Sequence, residues 1–177
     1  EINISCPNVK EGGIAFGQNT KAVESITKAI KRYAKQPVIM KLSPNVTSIA
    51  DMARAAEAGG ADAISLINTM TGMKIDIHKR NFALANRTGG LSGPAVKPVA
   101  VHMVYQASHA VGLPVIGMGG IASWEDAIEF MLAGATAVSV GTANFYQPDT
   151  TIQVVEGIER YLEKYGYKDV KEIIGIV

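Results

Sequence analysis

Short apolar runs alternate along this chain with longer stretches in which apolar side chains recur every three or four positions. The runs at 2–6, 38–42, 63–68, 114–117 and 137–141 predict strands. Between them, Val23, Ile26, Ile30 and Tyr33 give a helical stripe over 20–35, with Lys21, Glu24, Lys28, Lys31, Arg32 and Lys35 mostly on the other side. Ser48 with Asp51 predicts a cap for a helix through Ala58, which Gly59-Gly60 stops. Pro98 suits the first turn of a helix running to Val111. Ser123 and Asp126 form a capping box for a helix ending at Gly134, and 151–165 is an amphipathic helix carrying Ile152, Val155, Ile158, Tyr161 and Leu162. Residues 70–88 have no convincing period and predict an unusually long polar loop, of the kind that carries function in compact domains.

Strands separated by helices require parallel pairing with right-handed crossovers. The stretches 58–66 and 133–140 are alike, each a helix end, a glycine turn and a strand, so one βα unit is repeated. A doubly wound sheet and a (β/α)8 TIM barrel both satisfy this pattern. The barrel is favoured because every polar or glycine-rich motif follows the carboxyl end of a strand, and the last two such loops, where barrels commonly bind phosphate, are both rich in glycine.

Composition narrows the classes. With 177 residues, 47% hydrophobic and 19% charged, the chain is globular and large enough for a real core, and we read 1–177 as a single domain. A formal net charge of +1 gives no electrostatic reason to expect nucleic acid or an anionic membrane as partner. One cysteine excludes an internal disulfide and fits a reducing compartment, so the expected location is the cytoplasm. No apolar run approaches the length that spans a bilayer. The sequence enters directly into a strand at Glu1, which leads us to expect that an N-terminal part of the barrel is missing.

The densest chemistry is Asn3-Ile4-Ser5-Cys6-Pro7-Asn8, where Pro7 ends any strand ladder. Cys6 is either a small buried apolar residue, as most free cysteines are, or an acid/base or nucleophile beside amides that can hold a polar heterocycle. Residues 10–18, with Gly12, Gly13 and Gly17, are a candidate lid. Lys41 is an ammonium in an apolar strand, which either meets an anionic or electron-accepting group or snorkels past the strand end. Asn68 and Thr69 end a strand on the same side as Asn3 and Cys6. Gly119, Gly120, Gly141 and Thr142 offer backbone N–H groups to a phosphate. His78, His102 and His109 lie outside the strand ends and have no metal-ligand spacing, so no metal is expected.

Taken in order, 3–8 (Asn-Ile-Ser-Cys-Pro-Asn), 41–44 (Lys-Leu-Ser-Pro), 67–69 (Ile-Asn-Thr), 89–94 (Gly-Gly-Leu-Ser-Gly-Pro), 117–121 (Gly-Met-Gly-Gly-Ile) and 141–142 (Gly-Thr) resemble the class 1 dihydroorotate dehydrogenases. The stretch 9–17 looks like the NAD-linked subclass, 1B, rather than the fumarate-linked one. Cys6 separates the chain from the class 2 enzymes, which use serine. Dihydropyrimidine dehydrogenases share the barrel but typically carry histidine where Asn8 stands. The resemblance implies an FMN barrel, present here from about strand 4 to strand 8, that oxidises dihydroorotate to orotate in pyrimidine synthesis. It implies Cys6 as the base while hydride passes to the flavin. Asn3, Asn68 and Thr69 would hold the substrate, with Asn8 a weaker candidate. Asn3, Lys41, the Ile67 backbone and Gly93 would contact FMN, and Gly119, Gly120, Gly141 and Thr142 its phosphate. It further implies a partner subunit holding FAD and a [2Fe–2S] cluster that passes electrons to NAD, in an assembly of two catalytic and two electron-transfer chains. The alternatives are a related FMN barrel acting on another dihydropyrimidine or an enone, and a truncated barrel piece without catalysis.

Overall fold

The computed structural model describes residues 1–4 and 16–177. Five strands, β1 (Ile2–Asn3), β2 (Ile39–Lys41), β3 (Ala63–Leu66), β8 (Val115–Met118) and β9 (Ala137–Ser139), pair in parallel in the order β1-β2-β3-β8-β9. Asn3 lies opposite Lys41, Lys41 opposite Ser65, Leu66 opposite Gly117 and Met118 opposite Ser139. Parallel pairing brings all five carboxyl ends to one edge of the sheet. This order of neighbours is that of a partial β/α barrel, as the sequence pattern predicts.

Helices cover the sheet. They are α1 (Thr20–Lys31), α2 (Ile49–Ala58), α3 (Lys97–Ser108), α4 (Trp124–Leu132), the short α5 (Ala143–Tyr146) and α6 (Thr150–Tyr165). The main core sits between sheet and helices, where Met40, Ile64, Leu66, Val104, Val115 and Phe130 are almost wholly buried. Local chemistry sets the helix starts. Ser48 Oγ accepts from Asp51 N, and Ser123 with Asp126 forms the predicted box, each occupying backbone donors that a first turn leaves open. Asp62 ties three elements at the other end of the sheet: it accepts from Lys31 Nζ at 2.7 Å and from Val38 N at 2.6 Å, just before β3 begins. The Lys31 ammonium, then the Val38 N–H, hold its carboxyl below the ordinary range.

Three expectations change. β2, β3 and β9 are each two residues shorter than their apolar runs, and β8 keeps four residues but begins one position later than its run. Tyr33 is 86% exposed rather than part of the α1 stripe, because the helix stops at Lys31; Thr27 is buried instead, its hydroxyl donating to Val23 O. In α6, Ile152 and Val155 are exposed, and the inward face is Thr150, Val154, Gly157, Ile158 and Leu162.

The predicted polar loop 70–88 is a β arm. Its base pairs β4 (Met70–Met73) antiparallel with β7 (Thr88–Leu91), and its outer part pairs β5 (Ile75–Asp76) with β6 (Asn81–Phe82). Two-residue strands and a Gly-Gly pair in β7 carry almost no strand propensity, so periodicity could not find them. Gly90 is required by approach: a Cβ there would lie 2.3 Å from Thr69 Oγ1.

Gly157 is where α6 crosses α4, and an added Cβ would meet Trp124 Cβ and Cγ at 2.1 Å. Gly157→Ala is expected to lose about 1–3 kcal/mol of unfolding free energy despite the better helix propensity of alanine. Urea denaturation of variant and parent measures it; equal midpoints would mean that the helices separate without cost.

Candidate functional site

The carboxyl edge of the sheet holds a cavity of about 270 Å³, just below the roughly 300–1,000 Å³ of typical small-molecule sites. Lys41 from the end of β2, Ile67, Asn68 and Thr69 after β3, Gly93 before α3, Gly119 and Gly120 after β8, and Gly141 and Thr142 after β9 all line it. These residues come from four strand ends and span a hundred positions of sequence, so parallel topology alone brings them together. Ser92, Met118, Ser139 and Tyr146 line it too and were not singled out from sequence.

Asn3 is joined to the same region through Asn68. Asn68 Nδ2 donates to Asn3 Oδ1 at 2.9 Å, while Asn68 Oδ1 accepts from Thr69 N at 2.8 Å. The peptide between Leu66 and Ile67 is cis. Cys6 and Asn8, with Ser5 and the lid stretch up to residue 15, lie outside the described residues.

The Lys41 ammonium is 3.3 Å from Glu1 Oε1, and Glu1 Oε2 accepts from Ser65 Oγ at 2.8 Å. The charge in the sheet therefore has an anionic partner within the chain. Asn45, four residues past the end of β2 in the Ser43-Pro44-Asn45 turn, is a hub that sequence reading passed over. It donates to Thr69 O at 3.1 Å, accepts from Thr71 N at 2.9 Å, and its carbonyl accepts from Gln18 Nε2 at 2.9 Å.

The glycines differ in what they do. Gly93 and Gly141 face open space, with nothing within 4 Å of an added Cβ. Gly119 and Gly120 have φ of +121° and +85°, and a Cβ on Gly120 would sit 2.8 Å from Gly93 O. Backbone is thus exposed to the cavity at two loops, as close approach of a ligand phosphate requires. A cavity with open glycine faces and a lysine beside paired amides offers the chemistry that suits a ligand with a phosphate and a ring of carbonyl and N–H groups.

The loop 119–123 is braced from behind. Asp126 Oδ2 accepts from Ala122 N and Ser123 N, both at 2.9 Å, and Oδ1 accepts from Lys97 Nζ at 2.7 Å. Burial pushes the Asp126 carboxyl up, but the Lys97 hydrogen bond and the two N–H groups outweigh it and hold it below the ordinary range. Hydrogen bonds to Asp126, then Glu129, raise the Lys97 ammonium. Among the described residues no group of His, Cys, Asp and Glu could hold a metal ion.

A family model described as dihydroorotate dehydrogenase matches residues 1–162. The chain is 66% identical over 177 residues to the dihydroorotate dehydrogenase B (NAD(+)), catalytic subunit, of Lachnoclostridium phytofermentans, covering 100% of this chain and 59% of the relative. It is 65% identical over 175 residues to the protein of that name from Alkaliphilus oremlandii, covering 99% and 58%. A crystal structure of DHODH from Eimeria tenella in complex with ferulenol superposes with a TM-score of 0.81 at 26% identity, covering 99% of this chain and 52% of that one. The chain spans about three-fifths of the length of the curated relatives it matches.

Because its folded-state pKa is depressed, Asp126 contributes stability that is fully present above its unfolded value near 3.9 and lost as pH falls through the lower folded value. Asp126→Asn is expected to cost about 1–3 kcal/mol at pH 7. Chemical denaturation at several pH values should show the gap between parent and variant closing below about pH 4; a gap that stays constant into acid would mean that the carboxylate charge plays no part.

Proposed function

We propose, for a chain that belongs to the dihydroorotate dehydrogenase family, that it forms the FMN-binding part of a catalytic subunit that oxidises dihydroorotate to orotate. The observation that carries this reading is the meeting of Lys41, Ile67, Asn68, Thr69, Gly93, Gly119, Gly120, Gly141 and Thr142 around one cavity. When bound, FMN supplies the two-electron acceptor for the substrate's hydride.

In this reading the chain's own groups do the following. Asn3, Asn68 and Thr69, with Asn8, hold the carbonyl and N–H groups of the substrate ring, and the Asn3–Asn68 hydrogen bond fixes the two amides against each other. Cys6, three positions after Asn3 in the sequence, takes the ring proton. A free thiol has a pKa of about 8.5, so a thiol base near neutrality acts either through its minor thiolate fraction or after local lowering of that value. Lys41, Asn3, the Ile67 backbone and Gly93 orient the flavin ring, and the N–H groups of Gly119, Gly120, Gly141 and Thr142 bind its phosphate.

The relatives are named as NAD(+) catalytic subunits, which supports a partner subunit; the reading extends to a partner that holds FAD and a [2Fe–2S] cluster and passes electrons to NAD, in an assembly of two chains of each kind. Strands β1, β2, β3, β8 and β9 are read as strands four to eight of the barrel, and residues 1–177 as one domain with further strands completing it. No helix among the described residues is long and apolar enough to cross a membrane; the cytoplasm, where pyrimidine synthesis would draw on NAD, belongs to the proposal.

An anaerobic absorbance spectrum before and after dihydroorotate tests the assignment: a flavin band that bleaches is expected. A yellow protein that bleaches with dihydrouracil instead would move the substrate to a related dihydropyrimidine, and a colourless one would overturn the cofactor site. Cys6→Ala is expected to keep its flavin and lose most dihydroorotate oxidation, about 10²–10⁴-fold as for removal of a general base; steady-state turnover equal to the parent would remove Cys6 from that role. Gly141→Leu, which adds a side chain where the cavity is open, is expected to leave the fold intact and lower retained flavin, read as the absorbance ratio of flavin to protein.

A further inference from the structure

Glu1 precedes β1 by one residue and lies two positions before Asn3, so Glu1 and Asn3 share a face. Asn3 is opposite Lys41 and Lys41 is opposite Ser65, which puts Glu1 diagonal to the ammonium, within reach of long side chains. The geometry uses that reach: one carboxylate oxygen is 3.3 Å from Lys41 Nζ, and the other takes the hydrogen bond of Ser65 Oγ at 2.8 Å. Ser65 is fully buried in the central strand, so it anchors the carboxylate. Lys41 lines the cavity; Glu1 does not.

We propose that Glu1 is a positioning residue for Lys41, holding the ammonium at the cavity wall and offsetting part of its charge, and that it thereby sets the reduction potential of the flavin. This rests on the FMN reading of the cavity. A cation beside a group that gains electrons stabilises the electron-rich form, and a carboxylate beside that cation subtracts from the effect. With the Lys41 and Glu1 side chains 23% and 36% exposed, solvent screens both contributions in part without removing them. The Glu1–Lys41–Ser65 arrangement therefore pulls the flavin toward a lower potential than the lysine alone would give it, which favours passing electrons onward.

Glu1→Gln keeps the size and the hydrogen-bond acceptor while removing the charge. Its flavin content is expected to match the parent, and its midpoint potential, measured by dye-equilibrated anaerobic titration, to rise by about 30 mV, which is tenfold in a two-electron equilibrium. Should that variant not fold, Glu1→Asp withdraws the carboxylate by one methylene and is expected to raise the potential in the same direction by less. An unchanged or lowered potential in a flavin-loaded variant overturns the proposal. A parent protein that binds no flavin overturns the cofactor reading instead, so the two failures are distinct.

Discussion

Parallel pairing of five short strands is the constraint on which everything else depends. A parallel ladder sends every strand out on the same edge, and the backbone groups just past the last ladder bond still need partners. Side chains in the following turns supply them. Asn68 takes the Thr69 N–H, Asn45 takes the Thr71 N–H and gives to Thr69 O, and Asp126 takes those of Ala122 and Ser123. The polar groups that finish the strands therefore gather on one edge of the sheet, where Asn68 lines the cavity and Asp126 braces a loop that lines it. Site and fold are consequences of the same topology.

Glycine serves two separate ends on this edge. Gly117 lies under Phe130, where a Cβ would come within 2.6 Å of the ring, and Gly119 lies against Ala100 and Ile67. These permit helices to pack closely on the sheet. An added Cβ at Gly93 or Gly141 would meet nothing within 4 Å, so side-chain packing gives no reason for them. That difference turns a glycine-rich sequence into a shaped cavity: a side chain at the first kind of position disturbs the core, one at Gly141 only fills the site, and one at Gly93 also strains a backbone with φ of +95°.

What could be read from sequence was whatever is decided within a few residues. The Ser48 and Ser123 caps, the glycine turns and the order of strands and helices are local, and the matching carboxyl ends follow once pairing is parallel. The β arm was hidden because Thr88-Gly89-Gly90-Leu91 forms a strand through its partner, not through propensity. Ile152 and Val155 misled because helical spacing fits two stripes on α6, and only the crossing at Trp124 selects the one through Gly157. The Lys97–Asp126 brace joins residues 29 apart and the Glu1–Ser65 contact residues 64 apart. Neither has a periodic signal; both need the register first.

Lys41 shows how the structure redistributes the weight of a functional reading. An ammonium inside a sheet is costly without an anion, and from sequence that cost is itself a reason to expect a ligand. Glu1 removes the reason, since the chain already supplies a carboxylate at 3.3 Å and anchors it with a buried serine. The support for a bound cofactor then falls on the open faces of Gly93 and Gly141 and on the amides beside them. A lysine stabilised in this way is preorganised: its position is fixed before any ligand arrives, so no binding energy is spent ordering it.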